Sequence, residues 1–322
     1  MFHEIDLDGA KDLYRKLVLA RFFEEQAAVL YSQGHIYGFC HLYIGQEAVI
    51  AGLSHVKQPQ DSVVTSYRDH AHMLALGVPP NVIMAELCGR TQGCSRGKGG
   101  SMHMYCKERN FYGGNGIVGA QVSIGAGLAF AHKYNDDGGV AFTFYGDGAA
   151  NQGQVFEAFN MASLWKLPVV FVLENNHYAL GTAENRAVSG SGLSTRGDSF
   201  GIPTIMVDGM DVFDVIKKSK NVIEKVRCGD GPVILHMDTY RYKGHSMSDP
   251  ANYRSRDEVE NIKKTRDPIL NTKKILLSDF GVSTDDLTKI ENETKVVVET
   301  AARFAIESSE PDSSDLEKDV IL

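Results

Sequence analysis

No two of the five cysteines (Cys40, Cys88, Cys94, Cys106, Cys228) stand in a CxxC pair. Their number is odd and the chain is long, which excludes a disulfide framework and fits a reducing compartment. Cys88, Cys94 and Cys106 with His103 do not have the spacing of a tetrahedral metal site. Positive charge is also scarce. Net charge is −8 over 322 residues, so a chain-wide electrostatic grip on nucleic acid is not expected. Six acids and one lysine between 307 and 319 carry five of those eight charges, so the acidity is mainly a tail property. No apolar run reaches the length of a membrane span. The N-terminal stretch MFHEIDLDGAKDLYRK is charged and has no apolar core, unlike a secretory signal. A bacterial cytoplasm is the expected location, with a processed mitochondrial matrix chain as the alternative. There are no internal repeats.

What is present is ordinary globular composition with clustered glycine. Leu13, Leu17, Ala20, Phe23, Ala27 and Leu30 recur at helical spacing and predict a helix over 8–33. A second helix is expected from about Gln46, a short strand over 61–67 and a helix over 79–89. From residue 120 helices alternate with apolar strands. Helices are expected over 120–134, 151–166 and 211–226, and strands over 140–148, 167–176, 204–209 and 232–242. Strands that are apolar throughout, separated by helices, imply an α/β fold whose parallel sheet has helices on both faces. Helical additions are expected at both ends. Ser283 is positioned to cap a long helix running to about Ile306. The organisation read from this is an α/β domain over 1–262 and a helical extension with an acidic tail over 263–322. Loops 181–201 and 243–257 follow strand ends, are rich in glycine and serine, and are expected to be mobile.

Two glycine motifs compete for a ligand. Gly114-Asn115-Gly116-Ile117-Val118-Gly119 matches a dinucleotide fingerprint, but the preceding CKERNFY is a poor strand, which weighs against a nicotinamide enzyme. Asp147, in Gly146-Asp147-Gly148, closes an apolar strand. A lone acid there reads most simply as a helix cap. The next strand ends in Asn175-Asn176, however, so Asp147 and Asn176 can stand side by side on the sheet rim. A carboxylate, an amide oxygen and a nearby carbonyl form a hard oxygen set suited to Mg²⁺ completed by phosphate oxygens.

Gly146-Asp147-Gly148, 26 residues and Asn175-Asn176 resemble the thiamin-diphosphate motif. The words GFCHLYIGQEA (38–48), TSYRDH (65–70), GKGGSMHM (97–104), NFYGGNGIVGAQV (110–122) and TYRYKGHSMSDP (239–250) flank it in collinear order. Together they resemble the alpha subunits of thiamin-diphosphate-dependent 2-oxo acid dehydrogenases, in particular those acting on pyruvate. The resemblance implies a thiamin-diphosphate-binding fold of the diphosphate type. It implies oxidative decarboxylation of pyruvate with reductive acetylation of a lipoyl group on a dihydrolipoyl acyltransferase. It also implies a beta subunit in an α₂β₂ assembly, which would supply the glutamate that activates the cofactor, because this chain shows only one α/β domain.

The same resemblance assigns residues. Asp147, Asn176 and the Tyr178 carbonyl would hold Mg²⁺. Gly148 and Ala149 backbone, Tyr67, Arg68 and His245 would hold the diphosphate. Gly116 and Val118 carbonyls would face the aminopyrimidine. His41 and His245 would be catalytic histidines, with His70 either lining the site or packing behind it. Ser246 matches a serine that kinases modify in animal members, but Asn252 and Ala183 stand where further serines are expected, which argues against phosphate control. Acetoin dehydrogenase alpha subunits are the runner-up. A binding-only scaffold is a third reading, opposed by the intact Asp147, Asn176, His41 and His245.

Overall fold

The structure, a computed structural model, describes residues 5–318. The start of the N-terminal stretch and Asp319 of the acidic tail lie outside the described residues. The chain opens with α1 (Leu7–Ser32), whose N-cap Asp6 accepts a hydrogen bond from the Gly9 N–H at 2.8 Å. Then come α2 (Glu47–Val56), β1 (Ser62–Ser66), α3 (His70–Ala75), α4 (Pro80–Leu87), β2 (Phe111–Asn115), α5 (Ala120–Asn135), β3 (Ala141–Gly146), α6 (Gly153–Leu164) and β4 (Val169–Asn175). A small antiparallel hairpin, β5 (Tyr178–Ala179) and β6 (Thr182–Ala183), leads into the one-turn α7 (Glu184–Ala187). The remainder is β7 (Thr204–Asp208), α8 (Val212–Arg227), β8 (Val233–Asp238), α9 (Arg256–Arg266), α10 (Pro268–Ser278) and α11 (Thr284–Glu307).

Six strands form one parallel sheet in the order β2-β1-β3-β4-β8-β7. All seven residues of β4 are buried. Val170 and Val172 face a core built with α1, α2, α4, α8 and α11, while Val169, Phe171 and Leu173 face a second core built with α5 and α6. Both sides of the strand are dry, which is why its sequence shows no polar alternation. From β1 the chain winds outward to β2, and from β3 it winds the other way to β4. The C-terminal ends of β1 and β3 therefore flank the point where strand order reverses, the place where open α/β sheets bind ligands.

The structure corrects the sequence reading in several places. The stretch before Gly116 is a strand after all, β2, paired in parallel with β1. Its glycines hide it from strand propensity, yet close packing requires them. A Cβ on Gly114 would lie 2.0 Å from Asp69 Oδ2, and one on Gly113 would lie 2.1 Å from the Tyr105 ring. The short α3 was not expected. A 3₁₀ turn, Ala149–Asn151, precedes α6, so that helix starts at Gly153 instead of 151. Ser283 caps α11 by accepting from the Asp286 N–H at 3.0 Å, and α11 lies against α1 and α4.

Candidate functional site

A cavity of about 240 Å³ opens at the carboxyl ends of β1, β3 and β4. Ser66, Tyr67 and Arg68 enter from β1, Gly146 to Ala149 from β3, and Glu174 and Asn176 from β4. Gln46, Val118, Gln121, Tyr178, Leu180, Arg241 and His245 complete the wall. Asp147 stands one residue past β3 and Asn176 one residue past β4, with Gly146 in register opposite Glu174. The turn after Asp147 brings Gly148 and Ala149 to the wall before α6 begins, leaving early backbone N–H groups for an anion.

The oxygen set is held in place. Asn176 Nδ2 donates to Gln46 Oε1 at 2.8 Å, which turns its Oδ1 toward the Tyr178 N–H (3.3 Å) and the Arg241 guanidinium (3.4 Å). Arg241 also donates to the Tyr178 carbonyl at 3.1 Å. His177, between the two, sits in left-handed backbone at φ 70°. Its ring is clamped by Glu184 at 3.2 Å and Asp238 at 2.8 Å, which supports that strained turn. Asp147 is 4 % exposed, and burial pushes its carboxyl up to about 6 against the opposing charge of Arg241.

Two buried guanidinium groups dominate the electrostatics. Arg68 donates to the carbonyls of Leu42 and His245. Arg241 donates to the carbonyls of Lys243, Tyr178 and Leu180, to Asn176 and to the Tyr253 hydroxyl. Among the described residues neither makes an ion pair with a carboxylate. Burial and the neighbouring Arg241 pull Arg68 down to about 10. Two buried cations resting on neutral oxygens form a site short of negative charge. A diphosphate supplies that charge, and Asp147 with the Asn176 and Tyr178 oxygens, the latter two hydrogen-bonded by Arg241 here, makes a hard oxygen set of the kind a divalent cation takes.

Beside the cations three rings meet. The His41 ring lies 4.4 Å from Tyr67 and 5.1 Å from His245, centroid to centroid, and Tyr67 lies 5.5 Å from His245. Nδ1 of both histidines is buried without a hydrogen-bond partner. Burial, then Arg68, lowers His41 to about 2 and His245 to about 3. Both rings are therefore neutral at ordinary pH, each with an Nδ1 still open to a hydrogen-bond partner.

Of the residues expected from sequence, Tyr67, Arg68, Val118, Asp147, Gly148, Ala149, Asn176, Tyr178 and His245 meet in this one cavity. His41 stands just behind its wall, against Tyr67. Gly116 lies outside the wall, where an added Cβ would come 3.1 Å from the His103 ring. His70 is fully buried away from the cavity, between Glu24 and Ser101. Sequence reasoning assigned nothing to Arg241, Gln46, Gln121 or Glu174. Arg241 had a signal, a lone cation just past the end of an apolar strand. Gln46 had none, because its partner Asn176 is 130 residues away. Ser246 is 9 % exposed, with its hydroxyl 3.0 Å from that of Ser248. The 243–257 loop has more internal bonding than its composition suggests. Asp249 accepts from the His245 N–H at 2.6 Å and from the Tyr253 hydroxyl at 2.8 Å, and the Met247 N–H donates to the Cys40 carbonyl at 2.9 Å.

All five cysteines are free, and no cluster of three or more potential metal-binding His, Cys, Asp or Glu side chains occurs among the described residues. No helix among them is long and apolar enough to cross a membrane.

Comparison with known proteins agrees with this geometry. The family described as "Dehydrogenase E1 component" matches residues 15–314. A "Pyruvate dehydrogenase E1 component subunit alpha" of Zymomonas mobilis is 53% identical over 321 residues, covering 99% of this chain and 90% of the relative. The protein of the same name from Rhizobium meliloti is 54% identical over 309 residues, covering 96% and 89%. A mitochondrial counterpart from Dictyostelium discoideum is 53% identical over 294 residues, covering 91% and 77%.

Proposed function

The chain belongs to the dehydrogenase E1 component family, and from that membership we propose that it is the alpha subunit of a pyruvate-oxidising E1 enzyme. The reaction is oxidative decarboxylation of pyruvate, with transfer of the acetyl group to the lipoyl domain of a dihydrolipoyl acyltransferase. The observation that carries a diphosphate cofactor is the pair of buried guanidiniums, Arg68 and Arg241, resting on neutral oxygens beside Asp147. The chemistry such a site would draw from thiamin diphosphate is a carbon nucleophile for the 2-oxo carbon and an electron sink for decarboxylation.

The chain's own residues bind, orient and manage protons. Asp147, Asn176 Oδ1 and the Tyr178 carbonyl would hold Mg²⁺. Tyr67, Arg68 and the backbone of Gly148 and Ala149 would grip the diphosphate. The carbonyls of Gly116 and Val118 would orient the aminopyrimidine. His41 Nδ1 and His245 Nδ1 are the two ring nitrogens of the cluster that are buried without a hydrogen-bond partner. We assign them the protons exchanged near substrate and near the diphosphate respectively.

A beta subunit completes the site, in an α₂β₂ assembly, and brings the glutamate that activates the cofactor. Support comes from the apolar residues left exposed on α5 and the turn before it, Ile117 and Ile124, next to the cavity-lining Val118 and Gln121. Within this chain we divide the α/β domain, 1–262, from a C-terminal extension, 263–322, whose helices α10 and α11 pack back onto it. The bacterial relatives and the free cysteines support a cytoplasmic location. The test is to co-express the chain with its beta subunit and compare rates on pyruvate, acetoin and 2-oxoisovalerate. Pyruvate should be fastest, and a faster rate on acetoin would overturn the substrate reading.

A further inference from the structure

Behind the cavity lies a fully buried polar chain whose residues come from three separate elements. Glu24 of α1 and His70 of α3 are 0 % exposed, and Ser101, at the end of the glycine-rich loop, is 4 % exposed. His70 Nδ1 meets Glu24 Oε2 at 2.8 Å, and a carboxylate oxygen can only accept, so that ring nitrogen carries its proton. His70 Nε2 meets Ser101 Oγ at 2.8 Å and the Ser101 carbonyl at 3.2 Å. Burial pulls the His70 pKa down, and the Glu24 charge and hydrogen bond more than offset it, leaving it raised.

Each end of this chain holds the backbone that carries His41. The His41 N–H donates to Ser101 Oγ at 3.3 Å, and the Tyr43 N–H donates to Glu24 Oε1 at 3.0 Å. Between them, Arg68 takes the Leu42 carbonyl. The Ser101 end is itself anchored. Glu86 is fully buried and accepts from the N–H groups of Ser95 (2.7 Å), Gly97 (2.9 Å), Gly99 (2.8 Å) and Gly100 (3.1 Å). A tandem of buried polar groups with every partner satisfied fixes one geometry, because any shift leaves a donor or acceptor unpaired.

We propose that Glu24, His70 and Ser101 form a positioning relay that clamps the His41–Tyr43 segment and sets where the His41 ring stands against Tyr67 and His245. His70 is then a positioning residue with no contact to substrate. The proposal rests on the reading of His41 as a substrate-facing group, so the test separates the two.

The experiment uses the assembled, cofactor-loaded enzyme with Ser101→Ala, Ser101→Thr and His41→Ala in this chain. In Ser101→Ala, exchange of the His41 amide hydrogen should accelerate by about tenfold or more as its acceptor is lost. Its kcat should fall about tenfold through misplacement of the ring, with thiamin-diphosphate Kd within about twofold of wild type. Ser101→Thr keeps the hydroxyl and should recover most of both losses. Unchanged His41 exchange in Ser101→Ala would overturn the relay. So would a wild-type kcat there while His41→Ala is impaired, or a loss of kcat matched by an equal rise in Kd. If His41→Ala itself keeps full activity, the reading of His41 fails and amide exchange alone judges the relay.

Discussion

The two faces of the sheet are finished to different degrees. On one, α1, α2, α4 and α8 cover the strands, and α11 forms a further layer over α1 and α4. Val298, Ala301, Ala302 and Ala305 of α11 are all buried there. On the other, α5 and α6 bury Val122, Ala126, Val155 and Phe159 inward, the 193–202 segment packs on α6 through Phe200, and among the described residues no further helical layer lies over them. Leu164 is 72 % exposed at the C-terminal end of α6, where Met161 and Trp165 are also exposed; Tyr134 is exposed at the C-terminal end of α5, and Ile117 and Ile124 are exposed towards the α5 N-terminal end. Phe130 stacks with Tyr134 at 6.3 Å and packs on Trp165 at 5.7 Å, also in the open. An apolar surface of this extent, reaching the cavity through Val118, is what an obligate partner would cover. The first face is closed within the chain. The second is the face we propose for the beta subunit.

The largest effect should come from placing a charge on each face. Val298→Asp buries an unpaired carboxylate under α11 and should cost several kcal/mol, about 3–5, unfolding the isolated chain. Ile124→Asp with Leu164→Asp should leave its melting temperature within about 3 °C yet abolish assembly with the beta subunit, read by light scattering. Assembly by that double variant at wild-type strength would erase the distinction between the faces.

At the rim between the faces, Asp147→Ala should weaken Mg²⁺-dependent thiamin-diphosphate binding by about 100-fold in calorimetry, with thermal stability unchanged or higher. Unchanged affinity would remove Asp147 from the metal set. Two glycines of α5 sharpen the comparison at smaller amplitude. A Cβ on Gly125 would lie 1.8 Å from Thr143 Oγ1, so Gly125→Ala should cost about 1–3 kcal/mol in urea unfolding. Gly127 faces open space on the outer side, so Gly127→Ala should stabilise the isolated chain by up to about 1 kcal/mol. Equal effects at the two positions would contradict the account of which side is packed.

The smallest effect is a matter of protons. His41 and His245 are lowered from 6.5 to about 2 and about 3. In the ligand-free chain neither ring should titrate between about pH 5 and 8 in nitrogen-detected NMR. The unfolded chain binds those protons and the folded chain does not. Their contribution to stability is therefore whole above pH 6.5 and is lost as pH falls through the window down to about 3 for His245 and about 2 for His41. Adding thiamin diphosphate should raise both values, since its anion opposes Arg68 and Arg241. An ordinary titration near 6.5 in the ligand-free chain would contradict the burial that lowers them.

The sequence revealed most where chemistry and periodicity coincide. The run read as a strand over 140–148 holds β3, Ala141–Gly146, because both its faces are buried, and Asp147 just past its end had few places to point. Ser283 announced α11 by cap chemistry alone. The reading weakened where tertiary contact overrides local preference. Strand β2 is written FYGGN because Asp69 and Tyr105 need the room, so it reads as a loop. Helix α3 has six residues, too short for a periodic signal. The partners of the buried site residues are far apart in sequence, with Glu24 46 residues from His70 and Asn176 130 from Gln46. No local pattern encodes such pairs, and His70 could not be told from a packing histidine without Glu24 and Ser101 in view.

The central claim is that this chain holds the diphosphate half of a shared site. The most direct measurement is pyruvate decarboxylation with thiamin diphosphate and Mg²⁺, first with the chain alone and then after adding the beta subunit. The account predicts no turnover by the chain alone and full turnover on assembly. Turnover by the isolated chain at the rate of the assembled enzyme would contradict it.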